Sequence, residues 1–126
     1  MAEPQVTPYL VYDTRELPLS AGVRSVGGSA RRLLFSFDDT ELMLQMTSER
    51  HPGHIRFLGQ LLEDGMPVPG ASVALDGPTG HCVKSTDDEG QFRVTDVQCG
   101  AYRLEIRTPA HRLRLDALAI DVGGVL

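Results

Sequence analysis

The feature that most limits how this chain folds is a succession of short apolar runs that alternate at a period of two and are broken by turn residues. Tyr102, Leu104 and Ile106 alternate with Arg103, Glu105 and Arg107, and Leu113 and Leu115 alternate with Arg112 and Arg114. Val73 and Leu75 share one face of the 71–75 run, with Ser72 and Ala74 on the other, and Leu42, Leu44 and Met46 repeat the pattern. Successive side chains on a strand point to opposite faces, so each run specifies a strand with one covered side. Residues 33–37 and 55–61 read as further strands, and Leu118, Ala119, Ile120 and Val122 as a last one. Turn signals recur about every 8–12 residues, the spacing of an all-β sandwich. Two interruptions predict hairpins. Asp38 and Asp39 separate 33–37 from Leu42–Leu44–Met46, and 87–90 separates 82–86 from 91–94, with Gly90 able to take a positive φ. A helix over 39–49 competes for the second strand of the first hairpin, because Glu, Leu, Met and Gln favour helices; the alternation favours the strand.

The 126 residues suit one domain with one packed core. Residues 1–30 read differently from the rest. Pro4, Pro8, Pro18, Gly22, Gly27 and Gly28 exclude a long helix, yet Tyr9, Leu10, Val11, Tyr12, Leu17 and Leu19 are apolar. This segment is expected to be an extended arm lying on its own domain, or else on a partner or neighbouring subunit. Residues 31–126 then form the sandwich. Aromatics are 6% of the chain and Trp is absent, so aliphatic side chains must fill the interior.

A net charge of −5 argues against general nucleic-acid binding. No apolar run approaches the roughly 20 residues that span a bilayer. The opening residues, Met-Ala-Glu-Pro-Gln, lack the basic end and apolar stretch of a secretory signal, and Cys82 and Cys99 are too few to staple a secreted scaffold. The expectation is therefore a cytoplasmic protein with two reduced thiols.

Three blocks carry a family resemblance. They are Gly59 to Leu75, with Gly70-Ala71 after Pro67-Val68-Pro69; Thr86-Asp87-Asp88-Glu89-Gly90-Gln91-Phe92; and Gly100-Ala101-Tyr102-Arg103-Leu104-Glu105-Ile106. In that order and spacing, residues 55–122 resemble the carboxypeptidase regulatory-like domain, a transthyretin-like or immunoglobulin-like antiparallel β-sandwich. Cys99 departs from the pattern, standing where the family often has proline. The physical reading agrees: Gly70 suits a bend that a Cβ would obstruct, Ala71 suits a close approach of sheets, and Thr86 and Asp87 can bond their own turn. A buried Tyr102 hydroxyl needs a partner, for which a loop carbonyl is expected. The N-terminal portion is similar to extensions in small bacterial proteins that accompany sigma-factor and signalling clusters. That similarity implies an intracellular interaction protein whose partner is another component of a signalling or assembly system.

No catalytic set emerges. His81 and Cys82 are adjacent on a strand and so point apart, which prevents a nucleophile–base pair between them. In the predicted second hairpin Cys82 faces a residue near Thr95, too far along the chain to bridge Cys99. His51 and His54 are two imidazoles where a closed zinc site needs four ligands. The 87–90 turn lacks the spaced oxygens of a calcium loop. Asn is absent, so a Lys–Asn cross-link is impossible. Lys84-Ser85 follows Val83 where a phosphate loop needs glycine, and there is no nucleophile elbow. No enzyme activity, metal or cofactor is expected. What is left is a basic stripe. Arg103, Arg107, Arg112 and Arg114 fall on neighbouring strands, where they form either a solvated face neutralised by Glu105 and Asp116 or a binding surface, since arginine favours bidentate recognition of carboxylate or phosphate. These four, with Tyr9, Leu10 and Tyr12 of the arm, are the candidate partner-binding residues. The expected role is non-catalytic protein–protein interaction; an enzyme of transthyretin-like type and a small-ligand binder are the alternatives. Sandwich edges and an apolar arm also leave a homo-oligomer open.

Overall fold

A computed structural model describes residues 5–14, 30–49, 53–78, 80–109 and 111–121. Every described regular element is a strand: β1 (Gln5–Val6), β2 (Tyr9–Asp13), β3 (Ala30–Phe37), β4 (Thr40–Ser48), β5 (His54–Glu63), β6 (Met66–Pro67), β7 (Ser72–Gly77), β8 (Gly80–Ser85), β9 (Gln91–Gln98), β10 (Gly100–Arg107) and β11 (Arg112–Ile120). They form two sheets. One runs β1-β11-β10-β7-β8, and the other β2-β3-β4-β5-β6 with β9 also paired to β5. The result is an all-β, sandwich-like fold. The competing helix over 39–49 gives way to β4, where Leu42, Leu44 and Met46 are all buried. A helix would set Leu44 on the face opposite Leu42 and Met46.

The interior is aliphatic. Leu33, Leu42, Leu44, Ile55, Phe57 and Leu61 of one sheet meet Val73, Leu75, Leu104, Ile106, Leu113 and Ile120 of the other in a single buried cluster. Each such side chain contributes about 1.5–3 kcal/mol on leaving water. The Tyr102 ring is buried with them, and its hydroxyl donates to the Gln98 carbonyl at 2.7 Å, at the end of β9 just before the turn into β10. That supplies the partner the sequence demands.

The predicted hairpin between 82–86 and 91–94 does not form. β8 pairs with β7, setting Cys82 opposite Leu75, whereas β9 pairs with β5 in the other sheet. Residues 86–90 are therefore a crossing between sheets. Asp87 still builds the local turn, its Oδ1 accepting from Glu89 N and Gln91 N at 2.9 Å each. Gly90 sits at φ +74, where a Cβ would run into the Leu61 carbonyl. Thr86, however, does not bond its own turn. It is buried, its hydroxyl donates to Val68 O at 2.7 Å and accepts from Ala71 N at 2.8 Å, and so it clips the β8 end to the 68–71 crossing. A local reading cannot distinguish a hairpin from a crossing, because both need the same turn chemistry.

The last strand is also corrected. Leu113, Leu115 and the 118–120 segment belong to one strand, β11, with Val122 outside the described residues. Opposite it, Leu104 faces Leu115 but Tyr102 faces Leu118, so β11 carries one extra residue there. This bulge shifts the inward phase from odd to even positions and buries Leu118 and Ile120 as well as Leu113. β9 has a similar bulge between Val94 and Val97, with Asp96 at φ +63.

Residues 5–13 are built into both sheets. β1 lies parallel to the start of β11, and β2 runs antiparallel to β3 in the opposite sheet. Leu17, Leu19 and the proline and glycine positions at 18, 22, 27 and 28 lie outside the described residues.

Candidate functional site

The arm is held by a contact that sequence reasoning missed. Extending the inward parity of Leu33 and Phe35 back along β3 places Arg31 inside, where it is only 4% exposed. Its Nε donates to Asp13 Oδ1 at 3.0 Å and its Nη2 to Asp13 Oδ2 at 2.7 Å, a fork-to-fork pair that joins β2 to β3. Its Nη1 donates to the carbonyls of Ala119 and Asp121 at 2.9 and 3.0 Å, which ties in the end of β11. One guanidinium thus holds the arm, β3 and the C-terminal strand together. The signal was present in sequence, since a charged residue at a core parity position requires a carboxylate nearby.

Before Asp13, β2 is largely exposed. Tyr9 is 62%, Leu10 42% and Val11 49% exposed. Tyr12 is half-buried on the outer face of the sheet, its hydroxyl donating to Met43 Sδ at 3.6 Å. Leu10 lies at the seam between the sheets, lining a cleft of about 410 Å³ with Phe35, Leu115 and Leu118. β2 ends its sheet, and among the described residues no strand pairs with its far side. Both edges are bulged, β2 between Leu10 and Tyr12 and β9 between Val94 and Val97, but β9 also bears Arg93 and Asp96, charges that discourage a further strand. Asp96 is itself tied down, with its N–H donating to Glu49 Oε1 at 2.7 Å and its Oδ1 2.8 Å from His54 Nδ1.

The arginines do share a face. β10 and β11 pair, and with Tyr102, Leu104, Ile106 and Leu113 inside, Arg103, Arg107, Arg112 and Arg114 lie on the outer surface. Their environments diverge. Asp116 Oδ1 accepts from Arg114 Nε at 2.6 Å and stands 3.7 Å from Arg103 Nε, so those two are balanced. Glu105 is the register partner of Arg114. Arg107 and Arg112 are register partners of each other, like charges directly opposite, a placement that is unfavourable unless an anion lies between. Arg112 Nε is buried without a hydrogen-bond partner among the described residues. The stripe is thus a mixed face in which only the Arg107–Arg112 end lacks a carboxylate among the described residues.

Among the described residues no histidine joins a cysteine. His81 Nδ1 is 3.5 Å from Asp76, both exposed; His54 meets Asp96 on the surface; His111 packs its ring edge-on against Phe37 with Thr40 Oγ1 at 3.5 Å. His51 lies outside the described residues. Cys82, half-buried on β8, and Cys99, exposed between β9 and β10, are both free thiols. Among the described residues no group of three metal-ligating side chains converges, and no helix is long and apolar enough to cross a membrane.

Sequence gave no hint of a second cleft, about 460 Å³, on the outer face of the β4–β5–β9 sheet. Met43, Gln45, Leu58 and Gln60 form its floor, and Gln91 and Arg93 of β9 with Lys84 and Asp87 from the β8 end form its wall. Comparison of the chain with protein-family models, with curated proteins and with solved structures gives no match.

Proposed function

We propose that this chain is a non-catalytic β-sandwich that binds another protein by adding a strand at β2. The observation that carries the reading is the row Tyr9, Leu10 and Val11, three large apolar side chains left exposed on a terminal strand. Natural sheet edges are usually blunted by charge, proline or bulging; β2 is bulged between Leu10 and Tyr12 but bears no charge before Asp13. Strand addition draws affinity from backbone hydrogen bonds and specificity from alternate side chains, which Tyr9 and Val11 would supply. The Arg107–Arg112 end of the other sheet offers a second contact for an acidic partner surface. In keeping with the similarity of the N-terminal portion to extensions in small bacterial proteins that accompany signalling clusters, and of residues 55–122 to carboxypeptidase regulatory-like, transthyretin-like domains, the partner is a component of a bacterial intracellular signalling or assembly system, and the chain its cytoplasmic accessory or regulatory subunit.

Removing residues 1–30 is a poor test, because it strips Asp13 from the buried Arg31. Val11→Lys is the better one: it places a charge on the exposed edge and touches no core residue. Stability is expected to change by less than about 0.5 kcal/mol. A partner recovered from native cells with the unaltered chain is expected to be lost with Val11→Lys. A partner retained in full by the variant would exclude the β2 edge as the binding strand.

A further inference from the structure

The cleft on the outer face of the β4–β5–β9 sheet touches β2 only where the Tyr12 hydroxyl reaches Met43, and it does not rest on the protein-binding reading. Its floor is set by register. Gln45, Leu58 and Arg93 form one row across β4, β5 and β9, and Met43, Gln60 and Gln91 form the next. All six therefore stand on paired strands with the core behind them. Leu58 and Met43 provide an apolar bed, and Met43 is 37% exposed.

The charges at this cleft do not cancel. Lys84, the chain's only lysine, and Arg93 both line it, and neither enters an ion pair among the described residues. The carboxylate nearest to hand is that of Asp87. Its Oδ1 already accepts two backbone N–H groups of the 87–91 turn, which keeps it directed at the chain. The turn is further fixed by Gln60, whose Nε2 donates to Glu89 O at 3.0 Å, and by Leu61 N donating to Gly90 O at 2.8 Å. The amides of Gln45 and Gln91 make no such bond among the described residues. A chain with net charge −5 thus sets two cations against one carboxylate at this cleft, with two amide groups, around an apolar bed. Its volume falls in the range of small-molecule sites, on the order of 300–1,000 Å³.

We propose that this cleft binds a small amphipathic carboxylate, its head held by Lys84 and Arg93 and its aliphatic or aromatic body lying on Met43 and Leu58. Charge and bed together select the class. A bare inorganic anion would leave the apolar bed wet, and a neutral apolar molecule would leave both cations unanswered. A polyanionic backbone needs a longer basic track than this one pair.

Amide resonances of the full chain, followed during titration with hexanoate, test this. Saturable shifts are expected at Leu58–Gly59–Gln60 and Gln91–Phe92–Arg93, with affinity at least about tenfold weaker for 1-hexanol and for acetate, a difference of about 1.4 kcal/mol each. The double variant Lys84→Gln, Arg93→Gln alters only exposed side chains and is expected to melt as the unaltered chain does while losing the same factor for hexanoate. Equal binding of hexanoate and hexanol, unchanged binding by the double variant, absence of saturation, or shifts produced by an acidic peptide and not by hexanoate would each overturn the assignment. Loss of the partner in Val11→Lys with hexanoate binding intact would separate the two sites.

Discussion

Asp13 and Arg31 show how much one buried pair can decide. Both side chains are almost wholly buried, so neither charge has water to fall back on. Removing one partner of such a pair costs about 3–5 kcal/mol, whereas replacing both with apolar residues is often neutral. Asp13→Ala is therefore expected to lower the urea-unfolding free energy by about 3–5 kcal/mol, and Asp13→Leu combined with Arg31→Met to recover most of it. If the single variant unfolds at the original midpoint, the arm is not anchored through this contact.

Among the elements, the two irregular joints are more telling than the regular ladders. Thr86 connects two crossings through one hydroxyl, and Thr86→Val would leave Ala71 N buried without an acceptor. That variant is expected to lose about 1–3 kcal/mol, read from chemical denaturation. The β11 bulge makes a different prediction. It compensates for an alternation that changes phase between Leu115 and Leu118. Deleting Ala117 gives a regular ladder in which Leu115 still faces Leu104 and Leu118 still faces Tyr102. The shortened chain is expected to keep cooperative thermal unfolding and a dispersed amide spectrum. A collapsed spectrum would mean that the extra residue is needed for twist rather than for phase. The bulge is hard to see in sequence because Leu113–Leu115 and Leu118–Ile120 each alternate cleanly and so read as two strands.

For the whole molecule, topology governs how the parts come together. β1 near the start of the chain pairs with Arg112 and Leu113 near its end, and each crossing sends the chain to the other sheet. Non-local pairing of this kind raises the entropic cost of the folding barrier, so refolding is expected on the order of milliseconds to seconds in stopped-flow fluorescence of the tyrosines. A microsecond phase carrying the full amplitude would contradict the topology. Most of the strands were legible in sequence, since inward and outward alternation is a property of each segment alone: Leu42, Leu44 and Met46, or Tyr102, Leu104 and Ile106, need no neighbour to declare their buried side. The clustering of Arg103, Arg107, Arg112 and Arg114 on one outer face was legible for the same reason. Which strand lies beside which was legible for the β3–β4 hairpin across Asp38 and Asp39 but not further along, because the turn at 87–90 serves a hairpin and a crossing equally well, and only competition among all the strands for partners resolves it. The neutralisation of Arg114 by Asp116, two residues on, was legible too, but the Asp13–Arg31 pair and the cleft between Met43, Leu58, Lys84 and Arg93 arise from residues distant in the chain. Local periodicity determines which way a side chain points; the packing of two sheets decides what it meets there.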